Sequence, residues 1–410
     1  MKGNHLGKKG LVVGIILLFL GTSSIPSVAQ ITNEKASQVL SSGGNHAPIR
    51  IIGNDEFTSE NGVTGGNGTA DDPFLIEDWV IVNDGTAANG IFINNTDAYF
   101  VIKNCTISGF HQGIDFLGVT HGRIEETVVH DCQTGINIVE CSDITIKKTK
   151  CTNNTGSGLH SEKAPTRFLI EDCTFQNNND HGIALIHGYV PYQSYSLIRN
   201  CSFSNQHQGI WLVNLCNNTI ENCVFSHNYM GLELDYESRN NTIRNCSFLS
   251  QTAVGIYIWE YPYWRPIPFN NEISYCDFFD NIDGIFLMES RGETKIHHCN
   301  FINNSHCGVG LSLSRAQITS NNFVNNGRNW SSFDHGGVVL SQSYFCDVRY
   351  NWWGTPRGPA INITIDLIFD GMLIKIRKVQ GSDTVFFNGV NLVRLRPWLS
   401  ESIPDAGSQT

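Results

Sequence analysis

The chain has 410 residues, of which 16% are charged, 40% hydrophobic and 10% aromatic. That charge content is too low for a charged helical bundle or coiled coil, and the apolar content is too high for a disordered chain. The formal net charge of −11 excludes nucleic acid and anionic membrane surfaces as non-specific partners, since both need clustered Lys and Arg.

In chain order, the first expected element is an export signal at residues 1–29. Lys2, Lys8 and Lys9 form a basic start, Leu11 to Leu20 an apolar core, and Ser27-Val28-Ala29 a small-residue cleavage site before Gln30. The apolar run is shorter than the ~20 residues a membrane span needs, so no span is expected in the mature chain. Removal of the signal takes the net charge from −11 to −14, because residues 1–29 contain three Lys and no Asp, Glu or Arg. A linker is expected over 30–47. The 13 cysteines are an odd number, which rules out a complete disulfide framework.

The strongest signal is an internal repeat. A Gly followed by alternating apolar residues recurs at Gly90, Gly113, Gly135, Gly182, Gly209, Gly231, Gly255 and Gly284, and more loosely at Gly158, Gly308 and Gly337, mostly 22 to 24 residues apart. A second signature, Ile-x-x-Cys-x-Phe, follows in phase at Ile170, Ile198, Ile220, Ile243, Ile273 and Ile296, with a variant at Ile102. Period-2 alternation in short segments broken by Asn and Gly predicts strands and tight turns. Three short strands per repeat fit an all-β fold, a parallel β-helix of about eleven coils spanning residues 48–350.

These motifs resemble the right-handed parallel β-helix repeat of the pectin-lyase-like superfamily, and within it the NosD-like, carbohydrate-binding and sugar-hydrolase (CASH) group of secreted proteins; the resemblance implies that the coils form a single-stranded right-handed β-helix. Gly68-Thr69-Ala70-Asp71-Asp72-Pro73-Phe74 with Ile76 resembles the first coil of such proteins. Asn351-Trp352-Trp353-Gly354, Gly358-Pro359 and Pro397-Trp398-Leu399 resemble their C-terminal closing unit, expected over 351–400 with a tail at 401–410. The resemblance implies a secreted, periplasmic or cell-surface protein. It leaves activity open, because this scaffold hosts lyases, hydrolases, epimerases, adhesins and accessory proteins.

Cys105, Cys173, Cys201, Cys223, Cys246, Cys276 and Cys299 hold one register of the repeat, and Asn321 and Asn351 hold it in the last coils. The row reads as thiols stacked inside a turn. One denser cluster, His297, His298, Cys299, His306 and Cys307, offers five candidate metal ligands, although its spacing matches no zinc-finger pattern. Adjacent His297 and His298 are expected on opposite faces of a strand. No cofactor is expected, with calcium and copper left open.

On the Gly-led strand, residues two and four after Gly face outward. That row reads Phe92, Asp115, Asn137, His160, Ala184, Trp211, Glu233, Tyr257 and Phe286, with Asp235, Trp259 and Met288 alongside. Trp211, Tyr257, Trp259 and Phe286 on a water-facing sheet mark a binding site. Aromatic platforms beside Glu233 and Asp235 suit an oligo- or polysaccharide. Insertions at His187–Tyr195 and Glu260–Phe269 enter at one turn, and the second carries Tyr263 and Trp264 to the same site. A polysaccharide hydrolase or lyase would use Glu233 and Asp235, two residues apart and so ~7 Å between Cα atoms. The ordered polygalacturonase motifs and the Asp-Pro-His of alginate epimerases are absent, so the reading leans to binding. The NosD-like resemblance adds a third option, a copper-associated periplasmic accessory protein.

Overall fold

The computed structural model describes residues 44–409 except 164, 189, 261–269, 291, 329–334, 344, 366–373, 377–382, 389–392 and 395. The Gly-led segments form the long strands of sheet 1. It runs from Ile49–Ile52 through Asn89–Thr96 and on to Gly336–Ser341, then Thr384–Asn388, Ala360–Ile365 and Ile374–Ile376, fifteen described strands in all. Every pairing in it is parallel except the last, Ala360–Ile365 with Ile374–Ile376. Sheet 2 has thirteen described strands, from Phe74–Glu77 to Val393–Arg394, and sheet 3 has eleven, from Val80–Val82 to Asn322–Val324. Each turn of the chain adds one strand to each sheet, giving the right-handed parallel β-solenoid that the resemblance implies. Among the described residues no helix is long and apolar enough to cross a membrane.

Each sheet contributes inward rows of stacked side chains. In sheet 1, Ile210, Leu232, Ile256 and Ile285 are cross-strand partners with no exposed surface. Sheet 2 adds Ile198, Ile220, Ile243 and Ile273, each worth ~1.5–3 kcal/mol of burial. The Phe of Ile-x-x-Cys-x-Phe forms a ladder inside sheet 3: Phe175, Phe203, Phe225, Phe248, Phe278, Phe301 and Phe323 stack 4.6 to 5.3 Å apart with interplanar angles of 10° or less. The spacing is that of neighbouring strands, ~4.8 Å. The leading Gly is required by this ladder: a Cβ at Gly231 would lie 2.6 Å from Cδ1 of Phe248 and 2.5 Å from the carbonyl oxygen of Gly255.

The turn from sheet 2 to sheet 3 explains the cysteine row. The residue before each Cys takes the left-handed conformation, as at Asn200 (φ 54), Asn222 (φ 54) and Asn245 (φ 53), which Asn tolerates well. The thiol then points inward and donates to the carbonyl two residues back, at 3.1 Å for Cys201 to Arg199 and 3.3 Å for Cys223 to Glu221. Thr127 and Thr149 fill the same register in coils that lack Cys. All thirteen cysteines are buried thiols. Burial holds Cys246 and Cys276 well above the ordinary thiol range, so these groups are inert.

Trp353 extends the phenylalanine ladder, 4.8 Å from Phe323, and is fully buried. Next to it, Tyr350 N–H donates to Pro397 (2.7 Å) and Leu399 N–H to Asn351 (3.0 Å). The segment expected as a tail lies along the outer face of sheet 3. Ile403 exchanges two hydrogen bonds with the Asn322 side chain (2.9 and 3.0 Å), Asn300 Nδ2 donates to Ala406 (2.9 Å), and Ser408 Oγ donates to Asp277 (2.7 Å).

Candidate functional site

The long strands of sheet 1 place the candidate residues in transverse rows. Trp211, Glu233, Tyr257 and Phe286 are successive cross-strand partners, as are Val213, Asp235, Trp259 and Met288. A third outward row precedes the glycines: His181, Gln208, Met230, Val254, Asp283 and Cys307. The sequence pattern missed this last row, because a local irregularity at each Gly returns the residue before it to the outer face.

The face is far less open than the alternation implies. Glu233 is only 8% exposed and Asp235 5%, Ala184 is fully covered, and Trp211, Tyr257, Trp259 and Phe286 are half-buried. The exposed platform is therefore corrected to a packed aromatic row with two acids sunk in it. His181 stacks on Trp211 at 5.0 Å and 12°, and Tyr257 on Phe286 at 6.1 Å and 20°. Phe286 lies over Gly310, where a Cβ would approach within 2.6 Å of the ring. Tyr257 Oη donates to the sulfur of Met288 (3.2 Å). Tyr263 and Trp264 lie outside the described residues.

Burial dominates the electrostatics. It pushes the Glu233 carboxyl up to about 7, helped by the charge of Asp235 and opposed by a hydrogen bond from Gln208 Nε2. Asp235 is also raised by burial, against the backbone N–H of Tyr236 (2.8 Å) and the indole of Trp211. The Trp211 N–H favours that anion at a distance but meets no hydrogen-bond partner among the described residues. Burial, and then the charges of Glu233 and Asp235, push Tyr257 up to about 12. Burial brings His181 down to about 4, so the ring against Trp211 is neutral. Among the described residues no basic side chain pairs with Glu233 or Asp235. A shallow polar depression lined by Asn54, Asn95, Asp97 and Thr120 lies on early coils, where Asn54 Nδ2 already donates to Asp97 (2.8 Å).

The five-residue His/Cys cluster is dispersed. Cys299 points into the core and is fully buried. His297 and His298 do not take opposite faces. The strand ends at His297, and His298 turns left-handed (φ 54), so their Nδ1 atoms come within 3.0 Å on the outside. His306 and Cys307 instead join Asp283, 23 and 24 residues earlier, on the outer face of sheet 1.

The family described as "Periplasmic copper-binding protein (NosD)" matches residues 186–358, and the family described as "Right handed beta helix region" matches residues 39–190. No curated protein matches the sequence. Among solved structures, the catalytic unit of a GH87 α-1,3-glucanase from Streptomyces thermodiastaticus is similar at 10% identity and a TM-score of 0.48, covering 80% of this chain and 63% of that one. Pectate lyase Pel9A is similar at 12% identity and a TM-score of 0.37, covering 73% and 68%. The enzymatically active domain of bacteriophage CBA120 tailspike protein 2 is similar at 15% identity and a TM-score of 0.40, covering 84% and 46%.

Proposed function

The chain belongs to the right-handed parallel β-helix repeat proteins, and from that premise we propose that it is an exported protein that binds an oligo- or polysaccharide on the outer face of sheet 1. Trp211, Tyr257, Trp259 and Phe286 supply ring faces for sugar C–H surfaces. Glu233 and Asp235 accept hydroxyl hydrogen bonds, and the Trp211 indole donates one. The observation that carries this reading is a pair of buried acids set among aromatic rings, with no basic partner among the described residues. Burying carboxyls this way disfavours the folded state, and groups with such shifted protonation concentrate at functional sites.

One observation favours a second reading, a polysaccharide hydrolase or lyase. A carboxyl raised to about 7 keeps a proton near neutrality, as a general acid must, and Asp235 lies on the same strand face at a spacing compatible with a carboxylate pair.

A glycan array on the mature chain, followed by product analysis of whatever is retained, tests the proposal and separates the readings. Retention without cleavage is expected, with Trp211→Ala weakening it by ~1–3 kcal/mol and Glu233→Gln weakening it only modestly. New reducing ends or unsaturated products, abolished by Glu233→Gln, would establish the enzyme instead. Failure to retain any glycan would refute both.

A further inference from the structure

We propose that Asp283, His306 and Cys307 form a binding site for a borderline divalent transition-metal ion of the Zn²⁺ class. The inference is independent of the saccharide reading. The three side chains offer one oxygen, one nitrogen and one sulfur, all within 4.8 Å of one another. Asp283 Oδ1 lies at the centre, 2.6 Å from His306 Nδ1 and 3.0 Å from Cys307 Sγ. Protons thus hold the place a cation would take. Metal–ligand bonds of ~2.0–2.3 Å would require these atoms to spread by under about 1 Å.

The fold builds the cluster from two adjacent coils. Asp283 and Cys307 are cross-strand partners on sheet 1, and the strand Cys307–Ser312 begins directly after His306. The next coil sets Gly336 opposite Cys307 and so places His335 one strand step from His306. Side-chain exposures of 14% for His306 and 13% for Asp283 leave an edge for entry, while Cys307 is fully covered. Cys307 also stands apart from the inert row: it packs with Val339 and Phe386 outside the main core.

The donor chemistry selects the metal. Thiolate and imidazole suit zinc and copper alike, whereas the carboxylate favours a divalent ion over Cu(I). The copper in the description of one matched family therefore fits two of the three donors. Binding converts the Cys307 thiol to thiolate and releases its proton to solvent.

The test uses the full chain, reduced and stripped by chelation, titrated with Co²⁺ as an absorbing substitute for Zn²⁺ and then back-titrated with Zn²⁺. One Co²⁺ per chain is expected, with a thiolate-to-cobalt charge-transfer band that Zn²⁺ abolishes. Cys307→Ser should remove the band, His306→Ala and Asp283→Asn should each weaken affinity at least tenfold, and His297→Ala should leave both unchanged. Circular dichroism verifies that each variant folds; His306→Ala, at a partly exposed position, decides the matter if Cys307→Ser does not. No stoichiometric binding, a band that survives Cys307→Ser, equal loss in His297→Ala, or binding of Cu(I) alone would overturn the proposal.

Discussion

Replacing Glu233 by Gln should make the protein more stable at high pH and leave it unchanged at low pH. The Glu233 carboxyl moves from 4.5 to about 7, first because it is buried and second because Asp235 is nearby. Each pH unit of such a shift corresponds to about 1.4 kcal/mol, so the ionised form is disfavoured by roughly 3 kcal/mol as an upper bound. Because the folded value is raised, the stabilisation from holding the proton is complete below 4.5 and is lost as pH rises through 7. Gln keeps the oxygen that accepts from Gln208 and carries no charge to ionise. Denaturant melts of wild type and Glu233→Gln between pH 4 and 8 should therefore coincide at the acid end and diverge by up to about 3 kcal/mol at the other. Carboxyl NMR of the wild type should show one Glu titrating near 7. Parallel stability curves, or no Glu titrating above 6, would refute the reasoning about burial.

Phe248→Ala should cost ~3–5 kcal/mol, since it opens a gap between Phe225 and Phe278 in a continuous stack; a melt within 1 kcal/mol of wild type would contradict the ladder. Gly231→Ala should cost ~1–3 kcal/mol by overpacking, because its Cβ would press on Phe248 and the Gly255 carbonyl; the same melts check it. Thiol titration of the native protein should find almost no fast-reacting groups, and titration after denaturation without reductant should find all thirteen.

The fold was readable in the sequence because each coil repeats the same physical demand. A Gly clears the adjacent Phe ring, an Ile fills the inner row, and a small side chain occupies the turn. Thr127 and Thr149 were not recognisable as members of the cysteine register, because what the turn selects is a small donor to the carbonyl two residues back, and a hydroxyl serves as well as a thiol. The strap of residues 403–408 carries no periodicity, and its partners Asp277, Asn300 and Asn322 lie on three different coils. The candidate acids were legible as an outward pair, but their burial was not. Glu233 lies between Trp211 and Tyr257 of the flanking strands and Asp235 between Val213 and Trp259, and alternation along one strand says nothing of its neighbours' bulk. Asp283 was missed as a partner of His306 and Cys307 for the same reason, since only the coil register brings residues 23 and 24 positions apart together.

Hydrogen exchange with and without the saturating oligosaccharide selected on the array tests the central claim most directly. Protection is expected to concentrate on Gln208–Val213, Met230–Asp235, Val254–Trp259 and Asp283–Met288, the four adjacent strands that carry the aromatic and acidic rows, and in Trp211→Ala to need a higher oligosaccharide concentration, in line with its weaker retention. Protection confined to sheets 2 and 3, or to the early coils around Asn54 and Asp97, would contradict the placement of the site.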